Sequence, residues 1–151
     1  MNDTQRKIAV VGLGYVGLSN AVLLAQRNQV TAVDVLEERV AMLNARNSPI
    51  EEAELEDYLK TKPLDLKATT DLDAAVADAE FVIIATPTNY DPIENYFDTS
   101  SVDNLARDVI KANPNTVVVI KSTIPVGYIR RLREELNTDR VMFSPEFLRE
   151  G

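Results

Sequence analysis

Gly12, Gly14 and Gly17 stand in the pattern Gly-x-Gly-x-x-Gly directly behind the apolar run Lys7-Ile-Ala-Val-Val, and Asp34 closes a second apolar run, Val30-Thr-Ala-Val. These types at this spacing suit the cradling of a dinucleotide pyrophosphate on a helix N-terminus, where free amides and the helix dipole favour anions. Gly12 permits a tight turn off the strand. Gly14 lets the main chain reach the pyrophosphate with no Cβ between, and Gly17 lets helix and strand pack closely. A carboxylate at Asp34 accepts both ribose hydroxyls of the adenosine half. It also repels the 2′-phosphate of NADP, which only Arg39 nearby could offset, so NAD is the expected cofactor.

Other chemistries are narrowed by what the chain lacks. Its 151 residues include no cysteine and no histidine, which leaves no disulfide, no zinc or thiolate site and no histidine-dependent triad, so no metal is expected. The formal charge of −8 argues against nucleic acid or an anionic membrane as a partner. No run approaches the roughly 18 apolar residues of a membrane span, and Met1-Asn-Asp-Thr-Gln-Arg-Lys7 is no signal peptide, so a cytoplasmic location is expected. At 45% hydrophobic residues, this length suits one domain with a real core.

The elements that must position the glycines and Asp34 follow from periodicity. β-branched apolar runs predict six strands near Lys7 to Val11, Val30 to Val33, Leu66 to Ala68, Phe81 to Ala85, Thr116 to Ile120 and Val141 to Phe143. Helical spacing is expected for Val16 to Arg27, Glu37 to Arg46, Glu51 to Leu59, Leu72 to Ala77, Ser101 to Ala112 and Val126 to Leu136. Asp71 and Thr99 or Ser100 are candidate N-caps, and Asn113-Pro-Asn115 breaks the chain before the fifth strand. The alternation predicts a Rossmann-type doubly wound α/β fold, a six-stranded parallel sheet with helices on both faces. The acidic run from Glu51 to Asp57 is read as a solvated helix face.

Ligands of such a sheet lie over the carboxyl ends of its strands, so the segments just past them carry the information. They are Ala85-Thr-Pro-Thr-Asn-Tyr-Asp-Pro-Ile-Glu-Asn-Tyr-Phe-Asp-Thr-Ser100, Lys121-Ser-Thr-Ile-Pro-Val-Gly127 and Ser144-Pro-Glu-Phe-Leu-Arg-Glu150. Each has an ordinary structural explanation: Thr123 as a helix cap, Tyr90 and Tyr96 as loop packing, Glu146 and Glu150 as surface. Their shared position at the ligand edge favours function.

With Asn47-Ser-Pro-Ile50 and the glycine turn, these segments resemble the NAD-dependent nucleotide-sugar dehydrogenases, the UDP-glucose/GDP-mannose dehydrogenase family, over the whole chain. The resemblance implies that Tyr15, Val16, Asp34, Arg39, Thr88 and Thr123 line the NAD site, with Glu150 near the nicotinamide end. It also implies that Glu146, Phe147, Leu148, Arg149 and Glu150 form one wall of a UDP-sugar site. The loop from Asn89 looks most like the UDP-glucose branch, while the GDP-mannose and acetamido-sugar branches stay open. The family oxidises a sugar C6 hydroxyl to a carboxylate with two NAD molecules, through a cysteine thioester. Thr123 would hold the water or hydroxyl that exchanges protons, and Glu146 would act as general base on the water that hydrolyses the thioester.

This chain departs from that pattern in having no cysteine at all. By resemblance, the nucleophile, its lysine and asparagine partners, a central helix and the UDP-sugar-binding domain are all expected beyond Gly151. Residues 1–151 then form a single NAD-binding domain, apparently truncated, of an enzyme expected to be a homodimer. The domain alone would bind NAD without turnover. A stand-alone NAD-binding or sensor module, or a hydroxy-acid dehydrogenase domain, is the alternative.

Overall fold

The computed structural model describes residues 5–86, 89–91, 93 and 96–144. Six parallel strands form one sheet in the order β3-β2-β1-β4-β7-β8: β1 (Lys7–Val11), β2 (Gln29–Val33), β3 (Leu66–Thr69), β4 (Phe81–Ile84), β7 (Val117–Ile120) and β8 (Val141–Phe143). From β1 the chain builds outward through β2 to β3, then returns to β4 and builds the other way. The strand order therefore reverses between β1 and β4, where doubly wound sheets open a ligand crevice.

Period-two alternation along the four central strands, β1, β2, β4 and β7, supplies two cores. Ile8, Val10, Val30 and Ala32 face one layer, made by α1 (Tyr15–Ala25), α2 (Glu37–Asn44) and α3 (Ala53–Thr61), through Leu18, Val22, Leu43, Leu55 and Leu59. Ala9, Val11, Val82 and Ile84 face the other, made by α4 (Leu72–Val76), α5 (Ser100–Ala112) and α6 (Tyr128–Leu136), through Val76, Val102, Val109 and Leu132. A sheet covered on both faces needs such near-continuous apolar strands.

Local chemistry explains where elements begin. Asp71 caps α4 as expected, its carboxylate accepting from the Ala74 amide. Thr99 occupies the cap position of α5 without a side-chain capping bond. The third helix starts two residues later than its periodicity suggests, because the Glu52 side chain turns back to accept from the Glu54 amide. The sixth starts at Tyr128 and not at Val126, because Gly127 is left-handed at φ 84° and cannot continue a helix. The segment after β4, expected as a long loop, holds a small antiparallel hairpin of β5 (Asn89–Asp91) and β6 (Tyr96–Asp98). Three-residue strands rich in Asn, Asp and Tyr are too short for alternation to register. Among the described residues, no helix is long and apolar enough to cross a membrane.

Candidate cofactor-binding site

The parallel register sets Val33, Val11, Ile84, Ile120 and Phe143 in one row across the sheet. The next residues, Asp34, Gly12, Ala85, Lys121 and Ser144, therefore line its carboxyl edge. Ladder bonds continue into that row: Gly12 N to Val33 O at 2.8 Å, Ala85 N to Val11 O at 2.9 Å, Lys121 N to Ile84 O at 2.8 Å and Ser144 N to Ile120 O at 3.0 Å. The edge is thus held by backbone before any side chain is considered.

At its centre is the glycine turn. Gly12 adopts φ 100°, a region that side-chain-bearing residues rarely enter, and a Cβ there would also press on the Ala85 and Thr86 backbone at 3.0 Å. Gly14 is different. Its backbone is extended at φ −80° and ψ −165°, and among the described residues a Cβ built on it meets nothing within 4 Å, so the space beside it is open to them. Helix α1 starts immediately afterwards with no side-chain cap and no acid in its first turn. No acid of the helix's own first turn offsets the positive end of its dipole, as suits an anion site. Tyr15 and Val16, half-buried, edge the same turn.

Asp34 lies just past β2, and only 8% of it is exposed. Its Oδ2 accepts from the Leu13 amide at 3.0 Å and its Oδ1 from the Leu36 amide at 2.9 Å. The Arg39 guanidinium stands 3.7 Å from Oδ2 on the outer side. Val35 and Leu36 beside it are exposed apolar residues, 89% and 50%, suited to cover the flat face of a base.

Past β4 and β7 the edge is cross-linked. The buried Ser122 hydroxyl donates to the Thr86 carbonyl, and the Lys121 ammonium donates to the Ser144 hydroxyl at 3.2 Å. Thr123 follows, exposed, at the mouth of the edge. The far end of its loop is anchored by Tyr128, whose hydroxyl donates to the Asp103 carboxylate of α5 while Arg131 packs 5.1 Å over the ring. Burial, and then the Asp103 bond, push the Tyr128 phenol well above its ordinary range.

The structure therefore brings Gly12, Gly14, Tyr15, Val16, Gly17, Asp34, Arg39 and Thr123 to one edge of the sheet. Thr88, Glu146, Phe147, Leu148, Arg149 and Glu150 lie outside the described residues. Leu13, Leu36, Thr86 and Ser122 escaped sequence reasoning; Leu13 and Leu36 act through main-chain amides, and nothing in the sequence marks Ser122 beyond its place beside Thr123. A cleft of about 420 Å³ lies elsewhere, lined by Lys7, Gln29, Asp65, Lys67 and Asp78 among others. Part of its wall is the Lys7–Asp78 ion pair at 2.9 Å, away from the carboxyl edge.

Residues 6–151 match the model of the UDP-glucose/GDP-mannose dehydrogenase family, NAD binding domain. The chain belongs to this family. As a UDP-glucose/GDP-mannose dehydrogenase family domain, it is 52% identical over 145 residues to a UDP-glucose 6-dehydrogenase of Streptococcus pneumoniae, and 41% identical over 147 residues to that of Campylobacter jejuni. Each alignment covers 96% of this chain and 37% of the relative, so the chain spans little more than a third of their length. A UDP-glucose dehydrogenase from Pyrobaculum islandicum superimposes with a TM-score of 0.81 at 31% identity, covering 99% of this chain and 38% of that one. A GDP-mannose dehydrogenase from Pseudomonas aeruginosa gives 0.81 at 27%, covering 95% and 37%.

NAD is the family domain's cofactor. The residues present fit it: open space at Gly14, an uncapped helix end free of acid, and a carboxylate at the adenosine side.

Proposed function

We propose that this domain is the cofactor half of an NAD-dependent UDP-glucose 6-dehydrogenase, and that alone it binds NAD without oxidising the sugar. The observation that carries the binding is the open approach at Gly14 above the bare N-terminus of α1, with Asp34 beside it. The choice of UDP-glucose is supported by the names of the 52% and 41% identical relatives. NAD, when bound, supplies the hydride acceptor. The first turn of α1 holds the pyrophosphate, and Asp34 and Arg39 hold the adenosine ribose. The Thr123 hydroxyl, a donor and an acceptor, holds the water or sugar hydroxyl that gives up its proton.

By family resemblance Thr88 and Glu150 complete the NAD site, and Glu146, Phe147, Leu148, Arg149 and Glu150 form one wall for the UDP-sugar, with Glu146 as general base on the hydrolytic water. The complete enzyme would work as a homodimer. The absence of cysteine from all 151 residues supports lack of turnover, since no thiolate can capture the aldehyde. Positioning matters as much, because well-aligned groups reach effective molarities of about 10⁵ M or more. NADH absorbance with UDP-glucose and saturating NAD tests this: no sustained signal from the chain alone, and a signal once it is joined to the remaining part of such an enzyme. Steady NADH formation proportional to the purified chain would refute it.

A further inference from the structure

We infer that Asp34 has a second task besides meeting the ribose: it is the strut that holds the glycine turn in the shape the pyrophosphate needs. The inference rests on the reading that the dinucleotide lies across that turn.

Two consecutive amides of the turn are secured by two consecutive residues at the end of β2. Gly12 N donates to the Val33 carbonyl at 2.8 Å, and Leu13 N donates to the Asp34 carboxylate at 3.0 Å. The first bond extends the sheet ladder, as any parallel pair would. The second exists only because residue 34 carries a side chain that accepts. Leu13 lies between the first two glycines, and its side chain is fully buried in the layer of α1, α2 and α3. The residue cannot swing out to find water for its amide without pulling that side chain from the core. Without Asp34, the Leu13 amide loses its observed acceptor, and a buried unpaired donor is costly enough to reshape a short turn.

The same carboxylate has room for both tasks. An ionised carboxyl offers about four lone-pair sites. Leu13 N and Leu36 N occupy one on each oxygen, which leaves acceptor capacity on both for the two ribose hydroxyls. At 8% exposure a carboxylate needs partners of this strength, and charge-assisted bonds to two amides provide them. Asp34 is thus a positioning residue for the pyrophosphate as well as a contact for the ribose.

The two tasks separate in a thermodynamic cycle between the residue and the ligand hydroxyls. The probes are ADP and 2′,3′-dideoxy-ADP, titrated by calorimetry into the wild-type chain, Asp34→Ala and Asp34→Asn. Removing the hydroxyls is expected to weaken wild-type binding about tenfold, the scale of a hydrogen bond to a charged group. Asp34→Ala is then expected to weaken dideoxy-ADP about tenfold further, although that ligand has no hydroxyl for the carboxylate to meet. Loss of a negative charge would by itself favour an anionic ligand, so a weakening cannot come from charge. Asp34→Asn keeps one carbonyl oxygen for the Leu13 amide and should recover part of the dideoxy-ADP affinity.

Amide hydrogen exchange without ligand supplies a second readout. Leu13 should exchange faster in Asp34→Ala while the β1 amides keep their protection, and a partly protected Leu13 is expected in Asp34→Asn, which also serves if the alanine variant does not fold. If Asp34→Ala binds dideoxy-ADP as tightly as wild type does, the strut is overturned and the cofactor reading stands. If wild type binds neither ADP nor NAD, both fall.

Discussion

A Cβ on Gly17 would stand 1.7 Å from the carbonyl oxygen of Gly12. The turn folds back on itself with no room for one methyl group, and the obstacle is backbone, which cannot rotate away. Gly17 is therefore a requirement of the fold, in the first turn of α1 and five residues after Gly12, the residue that leaves β1. Gly17→Ala is expected to destabilise the domain by about 3 kcal/mol, the upper end of overpacking costs, with NAD binding lost in proportion. Thermal and urea unfolding measure it; a wild-type midpoint would mean the turn has slack.

Gly14 should behave in the opposite way. Its extended backbone accepts any residue and no described residue lies within 4 Å of a Cβ placed there, so Gly14→Val should fold with a loss of no more than about 1 kcal/mol. The new side chain occupies the pyrophosphate approach, and NAD affinity should fall at least about a hundredfold. Circular dichroism with calorimetry separates the two effects.

Cofactor choice follows from charge. Wild type should prefer NAD to NADP by about tenfold or more, because a 2′-phosphate would meet the Asp34 carboxylate. Asp34→Ala should narrow the ratio even as it weakens both ligands. Arg39→Ala should widen it, since Arg39 is the cation beside Asp34, 3.7 Å away. Competitive titrations give the ratios, and equal affinities in wild type would remove the electrostatic argument.

Tyr128 predicts a pH dependence. Burial and the Asp103 bond raise its phenol above the ordinary value near 10. The unfolded chain therefore loses that proton as pH rises through about 10 while the folded chain keeps it. The unfolded state then binds fewer protons, and stability falls with rising pH. Tyr128→Phe should cost about 1 kcal/mol near neutrality for the lost hydrogen bond, and should flatten the fall above pH 10. Urea midpoints from pH 8 to 11 for both chains decide it; parallel curves would contradict the shift.

The sheet was legible because its central strands β1, β2, β4 and β7 are largely apolar runs that contribute to both cores and each connection is long enough for a helix. The three glycines and Asp34 were legible because each type has a distinct backbone or charge consequence. The hairpin of β5 and β6 was not, since three polar and aromatic residues carry no period. Nor was Gly127 legible as the residue that delays α6, because its left-handed backbone is a tertiary outcome. The deepest omission was Leu13. Its contribution is a main-chain amide, and every residue except proline has one; only the fold shows that this amide meets Asp34.

Amide chemical shifts of the labelled chain during an NAD titration test the cofactor's placement most directly. Shifts concentrated at Leu13, Gly14, Tyr15 and Val16 and at Asp34, Val35 and Leu36, saturating with one NAD per chain, are the expected result. Shifts centred on Lys7, Gln29, Asp65, Lys67 and Asp78 at the other cleft, or none at saturating NAD, would contradict it.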